Sequence, residues 1–348
     1  MNERKILING ASGRIGRSVT YELNKYDLQS STFEVVALND PVGIDKIIES
    51  LSGHDPVHGK YNWKIDKVDD YNIRISGHQV AVFAEKDISK IPFANLGVKI
   101  VEECSGFYGD DKKVSGRVIA RDFLQYGCVE KVILSYPAEN ADITMIMGVN
   151  HDNYNPKKHN IISNSSCTTK SVAEPLRTLV DNGLSIDSLF LDTVHAATNS
   201  QPILESLDTI STHKTGAAKS LGLVIPELIG KMDGLSYRVP TLDGSIANVY
   251  FVAGFEGDLD AKIVNEMLRA HTIINPQSRM AVLDSPEVST KRDIIGRTEN
   301  SLIVASKTKV LPIRKHQYMI WLACGYDNER GPPMDQTLLT MHTLVSRS

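Results

Sequence analysis

The chain has 348 residues, enough for two domains, because single cores usually stop growing near about 250–300 residues. Hydrophobic residues at 41% and charged residues at 23% exclude a disordered or fibrous chain. The balance of 38 Lys plus Arg against 42 Asp plus Glu, a net charge of -4, argues against a dedicated nucleic-acid partner. Lys5–Asn9 is a short apolar run that reads as a strand. It ends in Gly10-Ala-Ser-Gly13-Arg-Ile-Gly16-Arg17, and helical spacing follows through Val19, Leu23 and Tyr26. A second strand, Glu34–Leu38, ends in Asn39-Asp40 and completes a unit of βαβ length. Apolar runs at Val80–Phe83, Lys99–Glu102, Lys131–Leu134 and Ile161–Ser163 continue the alternation and predict a parallel sheet. A helix is expected over Ser171–Leu179. Longer strands follow at Leu189–Val194, Leu235–Val239 and Ser245–Val252, with helices over Ala261–Ala270 and Pro333–Val345.

These elements predict an α/β protein: a Rossmann-type doubly wound parallel sheet, then an α+β catalytic domain with a mixed sheet. The expected bounds are residues 1–165 with the C-terminal helix, about 330–348, for the nucleotide domain, and 166–329 for the catalytic domain. No run approaches the roughly 20 apolar residues of a membrane helix, and Met1–Arg4 leads straight into a strand, so a cytoplasmic protein without a membrane partner is expected. Cys104, Cys128, Cys167 and Cys324 are widely spaced with no Cys-x-x-Cys pair. That pattern predicts neither a disulfide framework nor a zinc site, and no metal is expected.

A glycine-rich turn between strand and helix lets backbone amides approach a pyrophosphate while the helix N-terminus adds positive charge. The spacing here is G-x-x-G-x-x-G, which alone also suits an ordinary strand–helix turn. Asp40 strengthens it, closing the second strand 24 residues after Gly16, where a carboxylate can accept hydrogen bonds from a ribose. Gly10, Ser12, Gly13, Arg14, Ile15, Gly16 and Asp40 are therefore the candidate dinucleotide residues. Asp40 also repels a 2′-phosphate, favouring NAD, although this turn variant occurs in NADP enzymes too. The plain alternative for Asp40 is a solvated turn aspartate before Pro41.

Ser163-Asn-Ser-Ser-Cys167-Thr-Thr169 is a polar cluster between a strand and a helix, a setting in which the helix dipole favours a thiolate. A lone cysteine is more often a small buried hydrophobe, so the assignment needs a partner. His195, delivered at the C-terminal end of the strand Leu189–Val194, supplies it. A thiolate adds to an aldehyde carbonyl, and the hemithioacetal must lose its hydroxyl proton as hydride leaves, which calls for a base near neutral pH.

With these motifs in hand the chain resembles the glyceraldehyde-3-phosphate dehydrogenase family over nearly its whole length. The stretches that carry the resemblance include NGASGRIGR (9–17), VVALNDP (35–41), HDPVHGKY (54–61), VEECSG (101–106), GVNHDNY (148–154), SNSSCTT (163–169), HAAT (195–198), TGAAKSLGLVIPELIGKMDGLSYRVPT (215–241) and YDNERG (326–331). The resemblance implies that Cys167 is the acylated nucleophile and His195 its base and activator, the Cys167 amide and His195 forming the oxyanion site. It also implies that Thr198 and Arg238 hold the substrate phosphate, and that Ser166, Thr168, Thr215 and Gly216 hold the attacking inorganic phosphate. Asn328 would fix the nicotinamide carboxamide, and Ser105 stands beside the cofactor where the family has threonine. Hydroxyls, amides and a guanidinium suit phosphate, although an arginine is also commonly a surface ion-pair member and a threonine an ordinary turn hydroxyl.

The implied reaction converts D-glyceraldehyde 3-phosphate, phosphate and NAD(P)+ to 1,3-bisphosphoglycerate. Alternatives are the same chemistry on another aldehyde such as erythrose 4-phosphate, or a non-catalytic nucleotide-binding paralogue; semialdehyde dehydrogenases share the turn and a Cys/His pair but lack HAAT and TGAAK. Several departures from the family alter the outer shell. The span from His195 to Thr215 is only 20 residues, shorter than in the family; the Gly10–Gly13 turn has one residue more; Lys170 replaces an asparagine; and Pro332 replaces a tyrosine. The shortened segment weakens the expected tetramer contacts, yet a sheet face remains, so a homo-oligomer, dimer or tetramer, is expected.

Overall fold

The computed structural model describes residues 4–30, 33–108, 120–197 and 208–346. Thr198 and the rest of residues 198–207 lie outside them. The chain forms two compact units. The first runs through Met145 and takes up Asn153–Ser165 and the residues from Gln336 on; the second holds Ile146–Asp152 and Ser166–Asp335.

In the first unit β1 (Arg4–Asn9) leads into α1 (Arg14–Ser30), β2 (Phe33–Asn39) and α2 (Ile44–Ser52). A small ladder, β3 (His54–Asp55) with β4 (Gly59–Lys60), precedes β5 (Ile65–Lys67), β6 (Asn72–Ile75) and β7 (His78–Phe83). Then come α3 (Phe93–Leu96), β8 (Val98–Glu103), β9 (Lys131–Leu134), β10 (Ile143–Thr144) and β11 (Ile161–Ser163). The nine-stranded sheet has the order β10-β11-β9-β8-β1-β2-β7-β6-β5. It is parallel from β10 to β7, the sheet expected from the apolar runs, and is extended at one edge by β6, which runs antiparallel to both β5 and β7. The cause is a two-residue hairpin turn, Ser76 at φ 49° and Gly77 at φ 99°, the doubly left-handed geometry that matches strand twist. Leu7, Val101, Val132 and Phe123 form its buried core with no solvent exposure.

The second unit begins with α4 (Cys167–Asp181) and continues through β12 (Ser185–Ala196), β13 (Ser211–Lys214), α5 (Ala217–Val224), β14 (Met232–Val239) and β15 (Ser245–Gly254). It closes with α6 (Ala261–Ile274), β16 (Met280–Leu283), β17 (Ser301–Val304), β18 (Lys309–Arg314), β19 (Gln317–Tyr326) and the start of α7 (Gly331–Val345). The mixed sheet has the order β13-β14-β12-β15-β19-β17-β16, with β18 on β19. Alternation along β12, β15 and β19 turns Leu191, Val249 and Leu322 toward Val172, Leu176 and Leu268 of the helices. Ile146–Asp152 falls in this unit, rather than with the nucleotide domain as expected, because Ile146 is buried in that core and Gly148 closes on Glu174 of α4.

Candidate active site

At the C-terminal edge of β1, β2 and β8 the first unit holds a cavity of about 540 Å³, lined in part by Gly10, Ser12, Gly13, Asp40, Ser105 and Phe107. Gly10 has φ +80°, and a Cβ there would stand 2.6 Å from the Ser105 amide nitrogen; a Cβ at Gly16 would stand 2.0 Å from the Gly10 carbonyl oxygen. Only glycine fits either place, and α1 begins at Arg14 directly after the turn; Arg14 and Ile15, its first two residues, do not line the cavity. Asp40 is nearly buried. Its carboxylate accepts from the Ser12 amide (3.1 Å), the Ser12 hydroxyl (2.6 Å) and the Val42 amide (3.3 Å). The Ser105 amide and hydroxyl both donate to Glu103. A helix N-terminus, a backbone turn that a side chain would block and a buried acid at the end of the second strand fit the phosphates and ribose of a dinucleotide.

In the second unit α4 starts one residue after Ser166, which caps it by accepting from the Thr169 amide at 3.0 Å. The preceding Ser165 has φ 57°, a left-handed turn that costs a non-glycine residue roughly 1–2 kcal/mol. Cys167 is thus the first helical residue, where the amides have no preceding carbonyl in the ladder. His195 sits one residue before the end of β12, with Nε2 3.5 Å from Cys167 Sγ and Nδ1 2.8 Å from the Ala196 carbonyl. A carbonyl only accepts, so Nδ1 carries a proton and Nε2 is the nitrogen that exchanges one with the thiol.

Asn328, two residues beyond β19, donates from Nδ2 toward Cys167 Sγ (3.6 Å) and lies 3.2 Å from His195 Nε2. Its Oδ1 accepts from Ser245, which in turn accepts from the Ala196 amide. The side chain that the resemblance assigns to the nicotinamide carboxamide therefore rests on the Cys/His pair here. Arg238 of β14 is directly opposite His195 in the parallel register, and its Nε and Nη1 are buried without a hydrogen-bonding partner. Buried guanidinium donors left unmatched are a standing invitation to an anion. Thr215 accepts from the Ala217 amide at 3.1 Å and Gly216 is the N-cap of α5. The hydroxyl of Thr168 instead turns inward, 2.9 Å from the Tyr326 hydroxyl, which also meets Thr193; only the Thr168 amide remains at the helix terminus for a phosphate.

Electrostatics single out one cysteine. Burial by itself raises the Cys167 pKa, but the hydrogen bond with His195, the charges of His195 and Lys170 and the Asn328 amide outweigh it and hold the thiol at about 7. Burial pushes Cys324 up to about 12 and Cys104 well above its ordinary value. Burial also lowers the Arg238 pKa, opposed by the nearby thiolate. Tyr326 and Ser245 were not anticipated as part of this site. Tyr326 and Asn328 share the two-residue period of a strand end, a signal that was available; Ser245 carried none.

Residues 4–111 match the family model described as the NAD-binding domain of glyceraldehyde 3-phosphate dehydrogenase, and residues 166–328 match its C-terminal domain. The glyceraldehyde-3-phosphate dehydrogenase of Geobacillus stearothermophilus is 36% identical over 338 residues, 94% of each chain. Glyceraldehyde-3-phosphate dehydrogenase 1 of Bacillus subtilis (strain 168) is 35% identical over 338 residues, and its namesake in Bacillus cereus 33% over 341, each with 94% of both chains covered.

Proposed function

Because the chain belongs to the glyceraldehyde-3-phosphate dehydrogenase family, whose members are NAD-dependent oxidoreductases acting on aldehydes, we propose that it oxidises D-glyceraldehyde 3-phosphate with inorganic phosphate to 1,3-bisphosphoglycerate. The observation that carries this reading is the meeting of Cys167, His195 and Asn328 beside an arginine with two unmatched buried donors. The thiolate adds to the aldehyde carbon, forming a C–S bond as the C=O π bond opens. The imidazolium Nε2–H gives its proton to the developing oxyanion, which the Cys167 amide also meets, leaving a hemithioacetal hydroxyl and a neutral His195. His195 then accepts the hydroxyl proton as the carbon loses hydride, leaving a thioester on Cys167. NAD, when bound, supplies the hydride acceptor. A phosphate oxygen attacks the thioester, the C–S bond breaks, and Cys167 leaves as the thiolate. Arg238 orients the substrate phosphate, with Thr198 as its expected partner, while Thr215, Gly216, Ser166 and the Thr168 amide receive the attacking phosphate. Buried Asp40 opposes a 2′-phosphate, so NAD is preferred over NADP.

The test is NAD reduction with a panel of phosphorylated and unphosphorylated aldehydes, with and without phosphate. Turnover of glyceraldehyde 3-phosphate that needs inorganic phosphate supports the reading. A higher kcat/KM for erythrose 4-phosphate would transfer the same chemistry to that substrate, and NAD binding without turnover of any aldehyde would make the chain a nucleotide-binding paralogue.

Assembly is a further part of the reading. On the sheet face of the second unit away from its helices, Phe190, Tyr250 and Trp321 stand side by side in register, with the Tyr250 and Trp321 rings stacked 5.8 Å apart. Leu311 and Met319 continue this exposed apolar surface, which suits isologous pairing in a dimer or tetramer. Sedimentation should give a multiple of 38.4 kDa, and a single species at that mass would remove the claim. Four free cysteines and a thiolate nucleophile suit a reducing, cytoplasmic setting.

A further inference from the structure

Lys170 follows Cys167 by three residues on α4, the spacing that places two side chains on one helix face with Cβ atoms about 5–6 Å apart. A cation is out of place there on two counts. The first turn of a helix carries positive charge of its own, and Lys170 is 1% exposed, so its ammonium is taken out of water. Such a position is tenable only beside anions. One is Asp335 of α7, fully buried, with Oδ1 accepting from Asn300 Nδ2 at 2.8 Å and Oδ2 without a hydrogen-bonding partner. The other is the Cys167 thiolate.

We propose that Lys170 is a positioning residue of the thioester chemistry: its buried ammonium, kept charged by Asp335, is a second cation that holds Cys167 as thiolate while His195 gains and loses its proton. The proposal rests on the family chemistry given above. The charged and titratable groups around the thiol are His195 from β12, Arg238 from β14, Tyr326 at the end of β19 and Lys170 from its own helix. Asp335 faces Lys170: burial pushes its carboxyl up, and Glu174, itself bonded to His271, adds to that, while the charges of Lys170 and Arg279 and the Asn300 amide pull it back toward the carboxylate. Burial draws the Lys170 pKa down to about 8 against the pull of Asp335 and Cys167, so it remains largely protonated where the thiol ionises. Of these cations His195 is consumed in proton transfer, since it must be charged to support the free thiolate and neutral to accept the hemithioacetal proton. Lys170 has no such double duty. It therefore still stabilises sulfur as a leaving group when phosphate attacks the thioester, and thiolates of lower pKa leave faster.

The test is the pH profile of Cys167 alkylation by iodoacetamide in the full chain without substrate or cofactor. K170M should move the inflection upward by about one pH unit, the scale of a nearby opposite charge. K170N/D335N, which leaves no lone buried charge, should move it the same way, and it carries the test if K170M does not fold. K170R should keep the wild-type inflection. A folded double variant whose inflection matches wild type overturns the proposal. Faster alkylation at every pH with the inflection unmoved would mean that Lys170 merely packs the helix, and overturns it as well. Since the readout needs no aldehyde, an unshifted inflection condemns this proposal alone, whereas a normal profile without aldehyde oxidation condemns the family reaction alone.

Discussion

Both units bury ionisable groups at strand or helix ends, and both poise them near neutrality, but from opposite directions. Glu102 and Glu103, consecutive at the end of β8, are fully buried among uncharged partners: Gln336 and Thr340 at 2.6 Å for Glu102, Asn9 and Ser105 for Glu103. Burial outweighs those hydrogen bonds and raises each carboxyl to about 7. Cys167 is half-buried and burial pushes it up as well, yet it comes down to about 7 because of its hydrogen bond with His195 and the charges of His195 and Lys170. At Glu102 and Glu103 the hydrogen bonds from neutral groups soften desolvation without reversing it; at Cys167 the hydrogen bond and charge of His195, with the charge of Lys170, reverse it. The first unit thus holds two acids, and the second a thiol, at the edge of ionisation, the acids brought up to it by burial and the thiol brought down to it by His195 and Lys170.

The largest effect that could break this contrast is C167S, which should abolish aldehyde oxidation, since a serine hydroxyl does not ionise near pH 7. Retained steady-state NADH production would move the nucleophile elsewhere. H195N removes one cation and the base together. Single-turnover hydride transfer should fall by about 10²–10⁴-fold, and the alkylation inflection of Cys167 should rise, making the thiol behave like the carboxyls of the first unit.

E102Q probes the other side. A folded-state value of about 7 against an ordinary 4.5 means that below about pH 4.5 the carboxyl is neutral both folded and unfolded. As pH rises through that window the unfolded chain loses its proton first, and stability is lost until just above 7. Glutamine escapes this. E102Q should therefore be more stable than wild type at pH 8 by up to about 3 kcal/mol and gain nothing at pH 4, as urea midpoints would show. Equal midpoint changes at both pH values would mean that the carboxyl is not held neutral by burial. R238L should cost roughly 1.5–3 kcal/mol in kcat/KM for a phosphorylated aldehyde and little for an unphosphorylated one, the worth of charged hydrogen bonds. The smallest effect is expected from D40A, a shift of cofactor preference toward NADP, read from paired kcat/KM values.

What was legible in the sequence was local. The Gly10–Gly16 turn, Asp40 and the Cys167 cluster each declare themselves within a few residues, and β9 and β11 occur where their apolar runs place them. The helix expected from Ser171 starts instead at Cys167, because apolar periodicity begins only at Val172 while the true start is set by the Ser166 cap. The hairpin between β6 and β7 was signalled by Ser76-Gly77 between two alternating runs, a cue masked by the short, charged strands around it. The environments of Lys170 and Asn328 were not legible. Each depends on a partner more than 100 residues away in the chain, and no spacing rule reaches that far.

The second unit's long stretch, Ser166–Asp335, is inserted into the first, whose chain breaks off after Ser165 and resumes at Gln336. Glu102 consequently waits for partners that lie 234 and 238 residues downstream. At ribosomal rates of about 5–20 residues per second, that is an interval of roughly 10–50 s during which the β8 carboxyl is solvated and ionised. Arrival of α7 both covers it and, between its ordinary 4.5 and about 7, makes it take up a proton. Completion of the nucleotide-binding unit is therefore a late event in biosynthesis, and one whose final docking step is linked to the acidity of the surrounding solution.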